Sequence, residues 1–233
     1  MSFVKKTKKD TSSDFAAYYA LLNGIDKSWV APHNIRFRQA KTHAQVFKKI
    51  TKKYKLNCST ILDVGCGAGF ITNELTMLLP QSKICGIDIA TDAIEYAKIN
   101  FKKADFWVEP ISNKTKLGKT FNIIHAREFY PFTRTNKTKI HLEYLKTLAD
   151  HLDDNGAIMI YLLPLEKSLL TNLENISPHL EEIGLKHKYS KILIPVSTAY
   201  HFFPSLGISQ YLSRLLNFIR KRKNYCCLVF YKK

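Results

Sequence analysis

Apolar residues along the chain follow two alternating patterns. Short, nearly continuous apolar runs occupy residues 60–64, 83–89, 105–109, 121–125, 157–163, 188–195 and 225–231. Between them lie longer stretches whose apolar residues recur three and four positions apart. The first pattern predicts strands and the second amphipathic helices. Helices are expected over 70–79, stopped by Pro80, and from Thr91, a capping residue, to about residue 102. Two more are expected over about 135–152 and over 169–183, the latter interrupted near Pro178. Asp154-Asn155-Gly156 predicts a turn. Regular alternation of strands and helices indicates an α/β fold with a mostly parallel sheet.

Residues 1–13 are charged and polar and are expected as a mobile basic tail. Residues 14–233 read as one domain, with 14–53 as helical pieces broken at Gly24 and Pro32. Residues 196–223, between the last two strands, exceed what a simple connection needs. No apolar stretch is fit to span a bilayer, because residues 206–219 include Ser209, Gln210, Ser213 and Arg214.

Composition narrows the picture. A length of 233 residues with 45% apolar content suits one core-forming domain and excludes a disordered tail protein. Cys58, Cys66, Cys85, Cys226 and Cys227 show no CxxC spacing, so neither a metal site nor a disulfide framework is indicated. Reduced thiols, with no secretory signal behind the basic N-terminus, point to a cytoplasmic setting. Lys and Arg number 36 against 19 Asp and Glu, a net charge of +17. That excess suits nucleic acid, an acidic membrane surface or a phosphorylated substrate. Of the 36, 29 are lysines, which compositional drift also explains.

The sharpest local signal is Asp63-Val-Gly65-Cys66-Gly67-Ala-Gly69, at the junction of the first strand and its helix. Glycines there allow a tight turn and let a ligand approach bare backbone. Asp88 closes the second strand, where a two-acceptor side chain can receive the two hydroxyls of a ribose. Both features fall at carboxyl ends of adjacent strands, where open α/β sheets bind ligands. The glycine spacing is G-x-G-x-G rather than the G-x-G-x-x-G of nicotinamide sites.

On the segments LDVGCGAG (62–69), GIDIA (86–90), FNIIHAR (121–127) and GAIMIYLLP (156–164), the sequence resembles the class I S-adenosylmethionine-dependent methyltransferases over about residues 55–165. The resemblance implies a Rossmann-like three-layer sandwich with a seven-stranded, mostly parallel sheet. Its antiparallel last strand is inserted between the fifth and sixth. It implies S-adenosylmethionine as cofactor, with Asp63, Gly65, Cys66, Gly67 and Gly69 at the methionine end and Asp88 on the ribose. Glu109 and Ile89 are the candidates beside adenine, although Pro110 has no N–H to offer the ring.

Methyl transfer from a sulfonium needs positioning and, for a hydroxyl acceptor, a base. The segment 125–134 should border the methyl group. His125, Glu128 and His141 are the candidate bases, with His125 also a cofactor neighbour. An acceptor that is already anionic needs none.

Sorting charge by strand end separates lysine from arginine. Lys48, Lys49, Lys52, Lys53, Lys55, Lys98, Lys102, Lys103, Lys114, Lys116 and Lys119 precede strands and should face away from the cofactor. Arg36 and Arg38 in the N-terminal cover, Arg127 and Arg134 after strand four, and Arg214, Arg220 and Arg222 in the 196–223 insertion could all lie on the cofactor side. With Tyr130, all of these except Arg222 form the candidate substrate-binding set, and arginine's planar fork suits phosphate or carboxylate. The insertion's apolar stripe, including Ile208, Tyr211, Leu215 and Phe218, is expected to pack on the domain as a lid, with a membrane-surface or dimer contact as the other readings.

The expected function is therefore methylation, with oxygen as the methylated atom, of a small anionic acceptor, phosphorylated or sugar-linked. An RNA or protein methyltransferase and a non-catalytic cofactor-binding subunit are the alternatives. Against RNA, the position after strand four reads His-Ala-Arg-Glu, and basic–aromatic alternation is absent from the sequence.

Overall fold

The computed structural model describes residues 33–162, 168–222 and 224–233. The expected basic tail, and Tyr18, Tyr19 and Trp29 of the N-terminal cover, lie outside the described residues. Helix α1 (His33–Lys53) comes first; strand β1 (Thr60–Val64), helix α2 (Phe70–Leu78) and strand β2 (Lys83–Asp88) follow. Helix α3 (Thr91–Asn100), strand β3 (Asp105–Val108) and strand β4 (Phe121–Arg127) complete the first half. The second half holds helix α4 (Tyr130–Thr133), helix α5 (Thr138–Asp150) and strand β5 (Leu152–Leu162), then a run of short helical turns. Strand β6 (Ser190–Ile194), helices α6 (Ser197–Phe202) and α7 (Leu206–Ile219), and strand β7 (Tyr225–Tyr231) close the chain.

The seven strands form one sheet in the order β3-β2-β1-β4-β5-β7-β6. Strands β1 to β5 pair in parallel, and β7 lies antiparallel between β5 and β6. This is the Rossmann-like arrangement that the sequence resemblance implies. Strand alternation sorts side chains to two faces. Leu62, Val64, Ile124 and Ile158 pack against α5 and the turns before β6. Ile61, Ile123 and Met159 pack against Phe47 and Ile50 of α1 and Leu75 of α2. The result is a helix–sheet–helix sandwich.

Two local expectations change. The helix expected over about 135–152 starts three residues later, at Thr138, and a separate short helix, α4, with Pro131 in its first turn, precedes it. Asp154-Asn155-Gly156 is not a free turn: β5 begins at Leu152, and the pairing with β4 shifts register between Phe121 and Ile123. Asn155 takes the left-handed conformation (φ 59°) that asparagine tolerates, making a bulge inside the strand.

The insertion departs further from expectation. On α7 the buried residues are Ser209, Ser213 and Asn217, while Ile208, Tyr211, Leu215, Phe218 and Ile219 face outward. Hydrogen bonding fixes this orientation. Ser213 Oγ accepts from the Val196 N–H at 2.9 Å, and Gln210 Nε2 donates to the Leu193 carbonyl at 2.6 Å. The backbone leaving β6 thus finds its partners on the polar side of α7, which leaves most of the apolar stripe outside, while Leu212 and Leu216 of the same stripe are half-buried. Among the described residues no helix is long and apolar enough to cross a membrane.

This inversion predicts an unusual order of stabilities. Ser213→Ala, which strips the Val196 N–H of its acceptor, should cost about 1–2 kcal/mol. Phe218→Ser, on the exposed side, should change stability by less than about 0.5 kcal/mol. Urea midpoints of the two variants check this, and a larger loss for Phe218→Ser would contradict the orientation.

Candidate functional site

The junction of β1 and α2 is built for close approach. Gly65 (φ 69°) and Gly69 (φ 76°) adopt left-handed backbone. A Cβ at Gly69 would sit 2.8 Å from the Phe106 ring, and one at Gly65 would sit 3.0 Å from Phe129. Side chains at either position would fill the cradle or force its walls apart. The N–H groups of Gly65 and Cys66 donate to the Ile87 carbonyl, tying the turn to the end of β2.

Asp88 is the second fastening. Its Oδ2 accepts from the Gly67 N–H at 2.8 Å and its Oδ1 from the Ala90 N–H at 2.9 Å. Burial pushes its pKa up, opposed by these backbone donors. A carboxylate has about four lone-pair sites, so these backbone bonds leave acceptor capacity for a ribose hydroxyl. Glu109 follows β3, and its N–H donates to the Asp88 carbonyl, bringing it level with Ile89 at the sheet's edge. Both side chains are half-buried.

A cavity of about 310 Å³ lies against the turn, walled by Asp63, Gly65, Cys66, Gly67 and Arg127 from the sheet side and by Gln39 and Ala40 of α1. Burial pushes the Cys66 thiol well above its ordinary value, so it is a packing group here. A glycine cradle, bare turn backbone and a carboxylate with spare acceptors suit a nucleoside-bearing cofactor with an amino-acid end.

Asp63 and His125 lie opposite each other in the β1–β4 register, and both point toward α1. Asp63 Oδ2 accepts from Thr72 Oγ1 at 2.6 Å, and Asp63 Oδ1 accepts from His125 Nδ1 at 2.7 Å. His125 Nε2 lies 2.8 Å from Nε2 of His43 on α1. The two Nε2 atoms share one hydrogen bond, in which one ring donates and the other accepts. His43 is held well below the ordinary histidine value by burial, by His125 and by Arg127. His125 is fully buried and lines neither cavity, while its neighbours Asp63, His43 and Tyr161 do.

A second cavity of about 300 Å³ shares Gln39 and Arg127 with the first. His43, Glu128, Tyr161, Arg220 and Arg222 also line it. Glu128 has left-handed backbone (φ 53°), uncommon for a residue with a side chain, and its N–H is held by the Tyr161 carbonyl. The Tyr161 hydroxyl is buried without a hydrogen-bond partner.

Other candidates stand elsewhere. His141 is buried on α5, where Asn172 Nδ2 donates to its Nδ1 at 3.3 Å and burial lowers its pKa to about 4; it lines neither cavity. Arg38 borders a separate hollow with Glu74 and His201. Arg134 and Arg214 are exposed and line neither cavity, and Tyr130 packs half-buried on the core. The Arg36 side chain lies outside the described residues. The sequence reading missed Gln39 and His43. A signal existed for His43, which shares the three-and-four spacing of Ala40, Phe47 and Ile50 on α1.

Comparison with known proteins adds to this geometry. A family model described as a methyltransferase domain matches residues 55–193. A malonyl-[acyl-carrier protein] O-methyltransferase of Bacillus anthracis is 28% identical over 124 residues, 52% of this chain and 44% of that protein. A trans-aconitate 2-methyltransferase of Afipia carboxidovorans is 26% identical over 139 residues, 57% of this chain and 49% of that protein. The chain thus spans less than half the length of these curated relatives. Among solved structures, the magnesium protoporphyrin IX methyltransferase of Synechocystis PCC 6803, with bound S-adenosylmethionine, matches with a TM-score of 0.60 at 10% identity. That match covers 98% of this chain and 100% of the other. A plantazolicin methyltransferase in complex with a substrate analogue and S-adenosylhomocysteine matches with a TM-score of 0.56 at 18% identity, covering 96% and 92%. At these identities the structural likeness shows the fold.

Asp88→Ala should weaken S-adenosylhomocysteine binding about tenfold or more, since a charge-assisted contact and the tie to Gly67 are both lost. Calorimetric titration checks this, and undiminished affinity would remove Asp88 from the ribose site.

Proposed function

The chain belongs to the methyltransferase-domain family, and we propose that it transfers a methyl group from S-adenosylmethionine to an oxygen of a small acceptor bearing a carboxylate or phosphate. The observation that carries this reading is the convergence of Arg127, Arg220 and Arg222 on one cavity that meets the glycine-turn cavity at Gln39 and Arg127. Guanidinium groups bind such anions through paired, charge-assisted hydrogen bonds. Glu128 is the one carboxylate among the described residues of that wall, so the wall is net positive.

S-adenosylmethionine, when bound, supplies an electrophilic methyl on its sulfonium. The chain's part is alignment. In this reading the turn and Asp63 border the methionine end, Asp88 takes the ribose, and Ile89 and Glu109 flank the adenine. Arg127, facing both cavities, holds the acceptor's anionic group so that its oxygen lines up with the methyl.

The state of His43 favours an acceptor that arrives ionised. A histidine kept neutral by burial and by a neighbouring arginine is a weak proton acceptor. A carboxylate needs no base. Two relatives carry names that specify malonyl and trans-aconitate groups, both carboxylic acids. His43 then orients rather than deprotonates, and His125 acts through it as a positioning residue.

The test is methylation of a panel of small di- and tricarboxylates and their thioesters. Arg127→Ala, Arg220→Ala and Arg222→Ala should each raise the acceptor KM about tenfold. For Arg220 and Arg222, S-adenosylhomocysteine affinity should not change. Unchanged KM in all three variants would sink the anionic-acceptor reading. The rate with an ionised acceptor should also show no ascending limb at the ordinary histidine value of 6.5. Such a limb would make a histidine the base.

A further inference from the structure

From the outward apolar side of α7 and the charge around it, we infer that this face docks the protein on an anionic lipid bilayer. The outward residues recur at i, i+3, i+7, i+10 and i+11, a continuous stripe along a helix of 14 residues, about 21 Å. Their exposures are high: Phe218 is 83% exposed, Tyr211 70%, Ile219 66% and Ile208 53%. Phe202 and Phe203, at the end of the packed neighbour α6, are 72% and 48% exposed. Isolated exposed apolar residues need no explanation, but a helical stripe with its polar side buried does.

Charge selects the occupant. From residue 183 to residue 233 the chain has ten Lys and Arg and no Asp or Glu. Arg214, Arg220, Lys221 and Arg222 are exposed on or just beyond α7. A raised apolar helix bordered by cations matches a headgroup layer that is negative above an apolar interior. A second copy would set the same cations against each other.

The orientation is built in, because the bonds to Val196 and Leu193 hold the polar side down. The same helix walls the second cavity through Asn217, with Arg220 and Arg222 just beyond it. Docking therefore sets that cavity beside the headgroups. The inference does not rest on the acceptor reading, since its test measures binding and not turnover.

The test is sedimentation with phosphatidylcholine vesicles, with and without phosphatidylglycerol. Binding should be about tenfold stronger with the anionic lipid and should weaken in high salt. The double variant Tyr211→Ser, Phe218→Ser should lose about tenfold or more of that binding, with an unchanged thermal midpoint and unchanged S-adenosylhomocysteine affinity. Equal binding by the double variant, or no binding to anionic vesicles, would overturn the inference. So would vesicle-negative protein that dimerises, or that binds an acidic acyl-carrier protein, through these two residues.

Discussion

The buried carboxylate of Asp63 is the constraint on which the rest of the site depends. It lies at the end of the central parallel strand, 2% exposed, and a polar group so placed must find partners inside the protein. Thr72 from α2 and His125 from β4 satisfy its two oxygens, and His43 satisfies His125. That chain joins the central strands to both helices on one face of the sheet. It fixes α1, and α1 supplies Gln39 to both cavities, Ala40 to one and His43 to the other. Loss of one member leaves the next buried and unpaired, which costs more than the net gain of forming the bond.

Charge is distributed along the same lines. The net +17 is not a single basic surface. Lys119 stacks over Trp107 and Phe121, and Lys48 bonds the Leu78 carbonyl, and neither lines the two cavities. Three of the seven arginines converge on the second cavity, and of these three Arg127 also lines the first. The exposed Arg214 and Lys221 belong instead to the apolar helix face. In the proposed readings, acceptor recognition and surface attachment draw on neighbouring cations in one short stretch of chain, and Arg220 and Arg222 border both.

The sheet and the glycine turn were legible because their signals are local. The five-residue apolar run of β1 ends in glycines whose positive φ angles cost glycine no strain, and Asp88 closes the next strand. The placement of His43, His125 and the α7 stripe depends on packing instead. Periodicity showed a stripe on α7 but not its direction, which Ser213 and Gln210 decide through backbone groups at the end of β6. His125 read as a strand-end base, yet the register aims it at α1 and not at the cavity. Arg38, Arg134 and Arg214 followed from topology, which gives the end of a strand but not the reach of a side chain.

The most direct test of this account is nitrogen-15 NMR of the histidine rings. If Asp63 organises the site through His125, His43 remains neutral through the ordinary histidine value of 6.5, and its signal does not change there. His43 titrating at the ordinary histidine value of 6.5 would contradict the buried chain, and with it the fixed position of α1 over both cavities.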